Sequence, residues 1–466
     1  MLRILRYEEY KRPKIITEDI SRKVTEILSG IKTRGDDALN EYERQYNPRY
    51  NGSIRYIELN SRKSFQEACR ECSKKIQPPI SADSLNKNAS VSGEGKKREQ
   101  TSRAQKARAS TKKNTAPMTQ AGSNFKKALE EAARNIIEYH RRQVPKDYRY
   151  SPKNGVILGQ RVRAIEKVGV YVPGGRAFYP SSVLMNVIPA KLAGCKEIYI
   201  ATPSLNEEVY EAGLIAGATG IYEMGGAQAI GAFAYGTERV KKVYKITGPG
   251  NEYVTEAKRQ VYGECDIDMT AGASEVVIIG EDGSNAEYIA SDMVSQAEHD
   301  VRASAVLLTA SAQLANEVRE EILRLLSFSG TAGTASAALE ANGALILCSG
   351  RDEIIRAANE IAPEHLEVCV NDPFSWLDRI VNAGSVFLGG FSPVALGDYY
   401  AGLNHVLPTM GSAKFASPLS VADFVKTTQY VYYDRENLLK AADDIECLAM
   451  AEGLTAHAES IRIRRE

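Results

Sequence analysis

Apolar residues recur along the chain with two different periods, and the change of period divides the chain into segments. Residues 16–45 have apolar positions at helical spacing, and Gly35-Asp36 predicts a turn between two helices. A further helix is predicted from Phe125 to Gln143, and His140 at its polar end is expected at the surface. After Pro145, short apolar or β-branched runs alternate with helical segments. The predicted strands are 169–173, 197–203, 242–246, 274–280, 303–309, 343–348, 366–370 and 385–390.

Alternation of strands and helices is typical of parallel sheets with crossover helices. The sequence therefore predicts an α/β protein with two Rossmann-like, incomplete parallel-sheet domains within residues 123–397. Residues 1–77 are predicted as an N-terminal helical segment in which nothing indicates chemistry. Residues 398–466 are predicted as a C-terminal helical tail.

Residues 78–122 differ from the rest of the chain because large apolar side chains are almost absent. Such a segment cannot bury enough surface to offset its ordering entropy, which predicts a disordered insert. Within it, Lys96–Lys113 carries eight Lys or Arg residues against one Glu. A nucleic-acid contact is one interpretation of this charge, but the segment has no aromatic residue for base stacking. A solvated insert is the favoured interpretation.

Composition narrows the class of protein. The chain of 466 residues has 43% hydrophobic and 25% charged residues with a net charge of zero, so no global field favours nucleic acid or an anionic membrane. No apolar run has the length of a membrane span. The seven cysteines are an odd number at scattered positions, which does not indicate a disulfide framework. We expect a cytoplasmic protein that contacts neither nucleic acid nor membrane.

Two stretches carry candidate acid, base or metal-binding groups. Gln296 and His299 lie three residues apart at the end of a predicted helix, so both face one side and could bind a metal such as zinc. Glu364 and His365 precede a predicted strand, in the loop that Pro363 begins. A carboxyl beside an imidazole is a workable acid/base pair near neutral pH.

Further carboxylates and imidazoles occur near the C-terminus. Asp398 and His405 lie seven residues apart, on one helical face or in a loop at Gly402, and Glu452 lies five residues before His457. Sets of carboxylate, imidazole and amide groups suit zinc better than calcium or magnesium, although zinc and manganese are not distinguished here.

Glycine-rich turns follow several predicted strands. They are Val172–Gly175, Gly225–Gly236 and Gly248–Asn251. Glycine lets the backbone approach a phosphate closely, and a helix N-terminus favours an anion. The usual dinucleotide fingerprint is absent, so these turns are equally compatible with ordinary loops and with a nucleotide site at the carboxyl edge of a parallel sheet.

Eight stretches in order along the chain resemble histidinol dehydrogenases. They are VPGGRAFYPSSVLMNVIPAKLAG, GGAQAIGAFAYG, ITGPGNEYVTEAKRQVYG, IDMTAGASEVVII, SQAEHD, IAPEHLEV, GDYYAGLNHVLPT and AEGLTAH. The N-terminal helices are less diagnostic, and the insert departs from the short connection usual in the family. Ala273 stands where the family usually has proline, from which we expect a small effect on loop rigidity.

The resemblance implies a zinc-dependent enzyme that oxidises L-histidinol through L-histidinal to L-histidine with two NAD. It also implies a homodimer in which tail residues complete the partner's site. The implied site residues are the zinc ligands Gln296, His299, Asp398 and His457; the acid/base pair Glu364 and His365; the further substrate contacts Ser274, His405 and Glu452; and the NAD contacts Tyr171, Gln228 and Asn251. The zinc ligands and His365 would also contact the substrate. Two alternatives stay open at this point: a zinc hydrolase that uses the same ligands, and a nucleic-acid binder that acts through the insert.

Overall fold

The computed structural model of the chain describes residues 2–10, 18–59, 118–174, 178–328 and 330–465. The strands are β1 (Arg3–Arg6), β2 (Arg55–Glu58), β3 (Tyr148–Tyr150), β4 (Val156–Ala164), β5 (Lys167–Tyr171), β6 (Glu197–Thr202), β7 (Gly220–Glu223), β8 (Lys245–Thr247), β9 (Asp266–Ile267), β10 (Glu275–Gly280), β11 (Ser304–Thr309), β12 (Ala344–Leu347), β13 (His365–Cys369), β14 (Ser385–Leu388) and β15 (Val425–Tyr433). The α-helices are α1 (Glu18–Arg34), α2 (Asp36–Tyr46), α3 (Met118–His140), α4 (Pro180–Ala193), α5 (Glu207–Ala216), α6 (Gly226–Tyr235), α7 (Glu252–Val261), α8 (Ala286–Ala297), α9 (Ala312–Leu326), α10 (Ala332–Asn342), α11 (Arg351–Ile361), α12 (Phe374–Leu377), α13 (Val394–Tyr399), α14 (Arg435–Ala451) and α15 (Thr455–Arg462).

The first sheet has the strand order β2-β7-β6-β5-β8-β9. Its strands β5 to β9 pair in parallel, and β2 pairs antiparallel with β7 at one edge. Alternate side chains of its strands enter two cores, since Val168 and Val170 pack with α3, α4 and α5, whereas Tyr171 packs with α1, α2, α6 and α7. Helices therefore cover both faces, as a buried parallel sheet requires.

The second sheet has the order β1-β12-β11-β10-β13-β14, and all its neighbouring strands pair in parallel. Val276 and Ile278 of β10 pack against α8, α9 and α10, while Val277 and Ile279 pack on the side of α11. Without the edge strands β1 and β2, the two sheets have the same topology: numbered along the chain within each sheet, their five strands lie in the order 3-2-1-4-5. The predicted pair of incomplete Rossmann-like sheets is confirmed.

The N-terminal segment contributes more than helices. The two predicted helices form on either side of Gly35, whose φ of 53° suits glycine. However, β1 lies at the edge of the second sheet and β2 at the edge of the first, so this segment contacts both. Four-residue strands are too short to show a period in the sequence, which explains why they were not predicted.

The C-terminal segment differs from the predicted helical tail. Residues 400–424 are mostly irregular, and β15 pairs antiparallel with β4 over nine residues in a small third sheet, before α14 and α15 complete the chain. The β-branched and aromatic residues of β15 explain the strand. Of the predicted insert, residues 78–117 lie outside the described residues, and residues 118–122 form the start of α3.

Two further expectations from composition are consistent with the fold. Cys195, Cys265, Cys348 and Cys369 are buried free thiols and Cys447 is an exposed one, while Cys69 and Cys72 lie outside the described residues. Across the described ranges, the helices are all too short or too polar to cross a membrane.

Candidate functional site

A cavity of about 300 Å³ lies where the two parallel sheets meet. Gly248–Asn251, which follows the carboxyl end of β8, faces residues that precede strands of the second sheet, namely Ser274 before β10 and Glu364 before β13. We call it the inter-sheet cavity. It brings together eight of the predicted site residues, which are Asn251, Ser274, Gln296, His299, Glu364, His365, Asp398 and His405.

Three predicted metal ligands reach this cavity from two helices. Gln296 lies in the last turn of α8 and is buried, and His299 follows the end of that helix at an exposed position. Asp398 lies near the end of α13. Burial raises the pKa of the Asp398 carboxyl to about 7, and desolvation by the surrounding protein lowers the pKa of His299. The amide of Gln296, the imidazole of His299 and the carboxyl of Asp398 therefore line the same cavity. Asp398 is far from the other two in the sequence, so the sequence alone could not show that they come together.

His365 and Glu364 are both buried at the amino end of β13. The Nδ1 of His365 lies 3.1 Å from the carbonyl oxygen of Glu275, which can only accept, so Nδ1 carries the proton and Nε2 has the free lone pair. Burial lowers the pKa of His365 to about 4. Among the described residues, its Nε2 has no hydrogen-bond partner, and Asp398 Oδ1 lies 3.9 Å away.

Glu364 is held by donors from the neighbouring strand. Its Oε2 accepts the backbone N–H of Glu275 at 2.9 Å, and the Ser274 hydroxyl donates to the same carboxyl. Burial nevertheless raises its pKa well above the ordinary value, with smaller contributions from the charges of Glu275 and Asp398. Ser274 therefore has a contact with the candidate acid/base group.

His405 lies beyond the end of α13 in an irregular segment, so the loop alternative for Asp398 and His405 holds. Its Nε2 lies 3.3 Å from the Ser182 hydroxyl, and its Nδ1 lies 3.9 Å from Asp398 Oδ1. Burial lowers the pKa of His405 to about 4. Neutral imidazoles at His365 and His405 can accept a proton or bind a cation.

Glu452 and His457 do not join the other predicted site residues. Both are exposed, Glu452 as the residue that ends α14 and His457 within α15, and neither lines the inter-sheet cavity. Within the described part of this single chain, no group of three His, Cys, Asp or Glu side chains could hold a metal. The cavity nevertheless fits a borderline cation in its donor chemistry, since it offers an amide, neutral imidazoles and a carboxylate.

A second cavity of about 640 Å³ lies at the carboxyl edge of the first sheet. Gly174, Gly225 and Gly226 line it, and we call it the glycine-lined cavity. It occupies the point where the strand order reverses between β5 and β8, the usual ligand position in open α/β sheets. The three predicted NAD contacts Tyr171, Gln228 and Asn251 all line it, and Asn251 also lines the inter-sheet cavity. The two cavities are therefore adjacent at Asn251.

The turn between the cavities is held by a buried ion pair. Lys258 and Asp268 form this pair, Asp268 accepts the N–H of Gly248 at 2.8 Å, and Lys258 donates to the carbonyl of Gly248 at 2.9 Å. Gly248 has φ 114°, and a Cβ there would lie 2.0 Å from the carbonyl oxygen of Tyr171. Glycine is required here by both backbone conformation and close approach.

Sequence reasoning missed the residues that the N-terminal segment supplies. Lys23 of α1 and Asn47 to Arg49 after α2 line the glycine-lined cavity, and Glu43 of α2 is fully buried behind it. Glu43 accepts hydrogen bonds from Gly225, Gln228 and Asn47. An isolated glutamate in a charged helix gives no signal of this role, because the contact depends on how α2 packs.

The surface position expected for His140 is wrong. His140 is fully buried, with Nδ1 2.6 Å from Gln143 Oε1 and Nε2 3.4 Å from Asn404 Nδ2. Asn404 also donates to the carbonyl of Met185 at 2.7 Å, so this polar contact joins α3, α4 and the loop that carries His405. Burial lowers the pKa of His140.

Comparison with known proteins shows the family of the chain. Residues 85–465 match the family model for histidinol dehydrogenase. The histidinol dehydrogenase of Bacillus cereus is 49% identical over 348 residues, which are 74% of this chain and 81% of that protein. That of Aquifex aeolicus is 48% identical over 340 residues, or 73% of this chain and 80% of that protein.

A solved structure is also similar over nearly the whole chain. The crystal structure of histidinol dehydrogenase from Elizabethkingia anophelis has a TM-score of 0.79 and 31% sequence identity, and the match covers 99% of this chain and 97% of that one. The chain belongs to the histidinol dehydrogenase family, the enzymes that oxidise histidinol in histidine biosynthesis.

Proposed function

We propose that this chain oxidises L-histidinol through L-histidinal to L-histidine, with two NAD and one zinc ion per subunit, in the cytoplasm. The observation that carries the proposal is that one cavity is lined by the amide of Gln296, three imidazoles and the carboxyl groups of Glu364 and Asp398, beside a second, glycine-lined cavity. The first set suits a borderline cation and an imidazole-bearing amino alcohol, and the second suits a dinucleotide. The shared residue Asn251 supports transfer between them.

His365 is the proposed base for the first oxidation. Its lowered pKa keeps it neutral near pH 7, and its Nδ1–H is engaged with the carbonyl of Glu275. The Nε2 lone pair is therefore free, and it can take the proton of the substrate hydroxyl while a hydride leaves the same carbon. NAD, when bound, accepts that hydride.

Glu364 is the proposed acid/base group for the second oxidation. The aldehyde must be hydrated before a second hydride can leave, and burial raises the pKa of the Glu364 carboxyl, which makes its carboxylate a stronger base toward water. The hydrogen bonds from Glu275 and Ser274 fix its orientation. An intermediate kept in the buried cavity between the steps would not be released as a reactive aldehyde.

Gln296, His299 and Asp398 are the proposed zinc ligands from this chain. Zinc, when bound, supplies a template that orients the imidazole and amine of the substrate. The buried Nε2 of His365, for which the described residues provide no partner, and the raised pKa of Asp398 support a site whose polar groups await a ligand. Ser182 and Asp398 fix the imidazole of His405, the proposed substrate contact.

We further propose that the active form is a homodimer in which Glu452 and His457 complete the partner's site. Both residues are exposed in the single chain and lie outside the inter-sheet cavity, which contains three of the four ligands that the family resemblance implies. Most side chains of β15, before α14 and α15, are exposed as well, including Val431 and Tyr432. A second copy of the chain would cover this surface.

A stoichiometric assay tests the proposed reaction. Metal-replete enzyme is mixed with a limiting amount of histidinol and excess NAD, and reduced NAD and histidine are both measured. Two NAD reduced for each histidine formed supports the proposal. If one NAD is reduced and histidinal is the product, the proposed second oxidation is wrong. If no NAD is reduced, the proposed cofactor is wrong.

A further inference from the structure

Glu43 is a fully buried carboxylate behind the glycine-lined cavity. Its Oε1 accepts the backbone N–H of Gly225 at 2.8 Å and the side-chain amide of Gln228 at 3.0 Å. Its Oε2 accepts the side-chain amide of Asn47 at 2.8 Å. All three donors are uncharged. Burying a carboxyl group without hydrogen bonds costs free energy, so each of the three donors is held in the position where it can donate to Glu43.

The contact with Glu43 decides which atom of Gln228 is available to a ligand. Oε1 of Glu43 accepts the backbone N–H of Gly225 and the Nε2 group of Gln228, so the Oε1 of Gln228 is the amide atom that this contact leaves available. A Cβ on Gly226 would lie 2.6 Å from that Oε1 and 3.2 Å from Nε2, so Oε1 is the amide atom nearer to the glycine turn. The amide therefore presents a hydrogen-bond acceptor, in a fixed orientation.

The adjacent turn is fixed from both sides. Gly225 donates to Glu43, and the N–H of the next residue, Gly226, donates to the hydroxyl of Tyr171 at 3.1 Å. The Tyr171 hydroxyl keeps its own hydrogen, which it can donate to a ligand. Tyr171 and Gln228 thus present a donor and an acceptor that are held by one continuous set of hydrogen bonds.

We propose that Glu43 is a positioning residue of the dinucleotide site, which fixes the Gln228 amide and the Gly225-Gly226 turn in the orientation that binds NAD. The inference rests on the proposed function, in that the glycine-lined cavity is taken as the NAD site. It gives the N-terminal helix pair a role in cofactor affinity that its sequence does not indicate. Glu43 itself does not line the cavity, so it acts through Gln228 and the turn.

The test compares variants of the full-length, metal-replete protein by direct calorimetric titration with NAD. Glu43→Met keeps the length of the side chain and removes both acceptor oxygens. We expect its Kd for NAD to rise by roughly tenfold or more, as for the loss of a hydrogen bond to a charged group. The KM for histidinol and the zinc content should stay at the wild-type values.

Two further variants separate positioning from a loss of stability. Glu43→Gln keeps one acceptor oxygen, which can serve Gly225 and Gln228. It loses the acceptor for Asn47, but Asn47 still donates to the carbonyl of Pro203. This variant should therefore recover most of the affinity for NAD. Leu39→Ala removes a buried side chain of the same helix that does not line the cavity, so it should lower the Tm without raising the Kd for NAD. Loss of affinity in Leu39→Ala equal to that in Glu43→Met would overturn the inference.

The coupling between Glu43 and Gln228 is measured with a double-mutant cycle. If Glu43 acts through Gln228, the combined Glu43→Met and Gln228→Met variant should lose less affinity than the sum of the two single losses. Full additivity would overturn this route. If Glu43→Met does not fold, Glu43→Asp replaces it, since the shorter side chain cannot reach all three donors and should also weaken NAD binding.

The wild-type control distinguishes failure of the proposed function from failure of the positioning role of Glu43. A wild-type protein that neither binds NAD nor reduces it with histidinol would overturn the proposed function and this inference together. A wild-type protein that does both, beside a Glu43→Met variant whose Kd for NAD is within about twofold of it, would overturn the inference alone.

Discussion

Glu364 and His365 are neighbours with the same degree of burial, and burial shifts their pKa values in opposite directions. It disfavours the charged form of each, which raises the pKa of the carboxyl and lowers that of the imidazole. His365 is thereby kept as a neutral proton acceptor, while Glu364 can give or take a proton. Two oxidations in one site need both kinds of group.

Substitution of Glu364 by Gln should separate the two oxidations. The amide oxygen can still accept the N–H of Glu275, so the local structure is retained, but the amide cannot take a proton from water. We expect the second oxidation to slow by roughly 10²-fold or more and the first by much less. A single-turnover experiment should then give one rapid equivalent of reduced NAD with histidinal accumulating. Equal loss of zinc and activity in this variant would contradict the role.

Gly248 offers a test of the turn between the two cavities. Gly248→Ala meets both an unfavourable φ and the carbonyl of Tyr171, whereas Gly263→Ala meets only an unfavourable φ of 104° with no atom within 4 Å. We expect about 1–2 kcal/mol of destabilisation for Gly263→Ala and clearly more for Gly248→Ala. Urea unfolding of both variants measures the difference, and equal losses would show that the turn can shift.

At the scale of elements, a buried carboxyl pair links the helices that carry the proposed zinc ligands. Asp292 of α8 is hydrogen-bonded to Glu367 of β13, and Glu367 Oε1 also accepts the N–H of Val394 at the start of α13 at 2.9 Å. Helix α8 carries Gln296 and α13 carries Asp398. Two carboxyl groups this close share a proton, because both cannot be charged when buried.

The shared proton predicts a pH dependence of stability. Burial, together with the nearby charge of Asp292, raises the pKa of the Glu367 carboxyl. At pH values between the ordinary pKa of a glutamate and this raised pKa, Glu367 is protonated in the native state and ionised in the unfolded state. Glu367 should therefore contribute a fall in stability as the pH rises from about 5 to 8, and the free energy of unfolding of Glu367→Gln should fall less, or rise more, across this range than that of the wild type. We expect the variant to gain of the order of 1–3 kcal/mol relative to wild type across that range. Urea unfolding at each pH measures it.

The control for this prediction is Glu287→Gln, which removes the same charge from an exposed position on α8. It should leave the slope of the wild type unchanged. A slope in Glu367→Gln equal to that of the wild type would show that Glu367 does not contribute to the pH dependence.

The sequence predicted several strands well where both faces are buried. β10, β11 and β12 coincide with apolar runs because helices cover both sides of the second sheet. The start of β8 was predicted three residues too early, at 242 instead of Lys245, and the short buried strand β7 was missed. Prediction also failed for β15, whose side chains are mostly exposed. Exposed strands need a partner to form, and β4, which pairs with β15, was not predicted either.

The candidate site could be predicted only in pieces. Helical spacing pointed to Gln296 and His299, and adjacency pointed to Glu364 and His365. Their convergence depends on the carboxyl edge of the first sheet facing the amino ends of β10 and β13 in the second, which no local pattern encodes. The family resemblance supplied that link, and it named the residues without the hydrogen bonds that orient them.

At the scale of the whole molecule, the exposed positions of Glu452 and His457 predict shared sites between subunits. Chains with His299→Ala lack a proposed ligand in the inter-sheet cavity, and chains with His457→Ala lack the proposed ligand from α15, so homodimers of either should be inactive. A mixed dimer contains one site in which a cavity with an intact His299 is completed by an intact His457 from the other chain. Co-expression with two affinity tags allows the mixed dimer to be purified, and it should have about half of the wild-type activity and one zinc per dimer.

The alternative arrangement, in which each tail folds onto the cavity of its own chain, predicts no active site in the mixed dimer. Each chain would then keep its own defect whichever partner it has. A mixed dimer of His299→Ala with Gln296→Ala is the matched control, because both substitutions lie in the cavity and no exchange of tails can restore a site. Recovery in the first mixture and none in the second requires that His457 act across the interface. Absence of recovery in both, from dimers that remain folded, would place the tail on its own subunit.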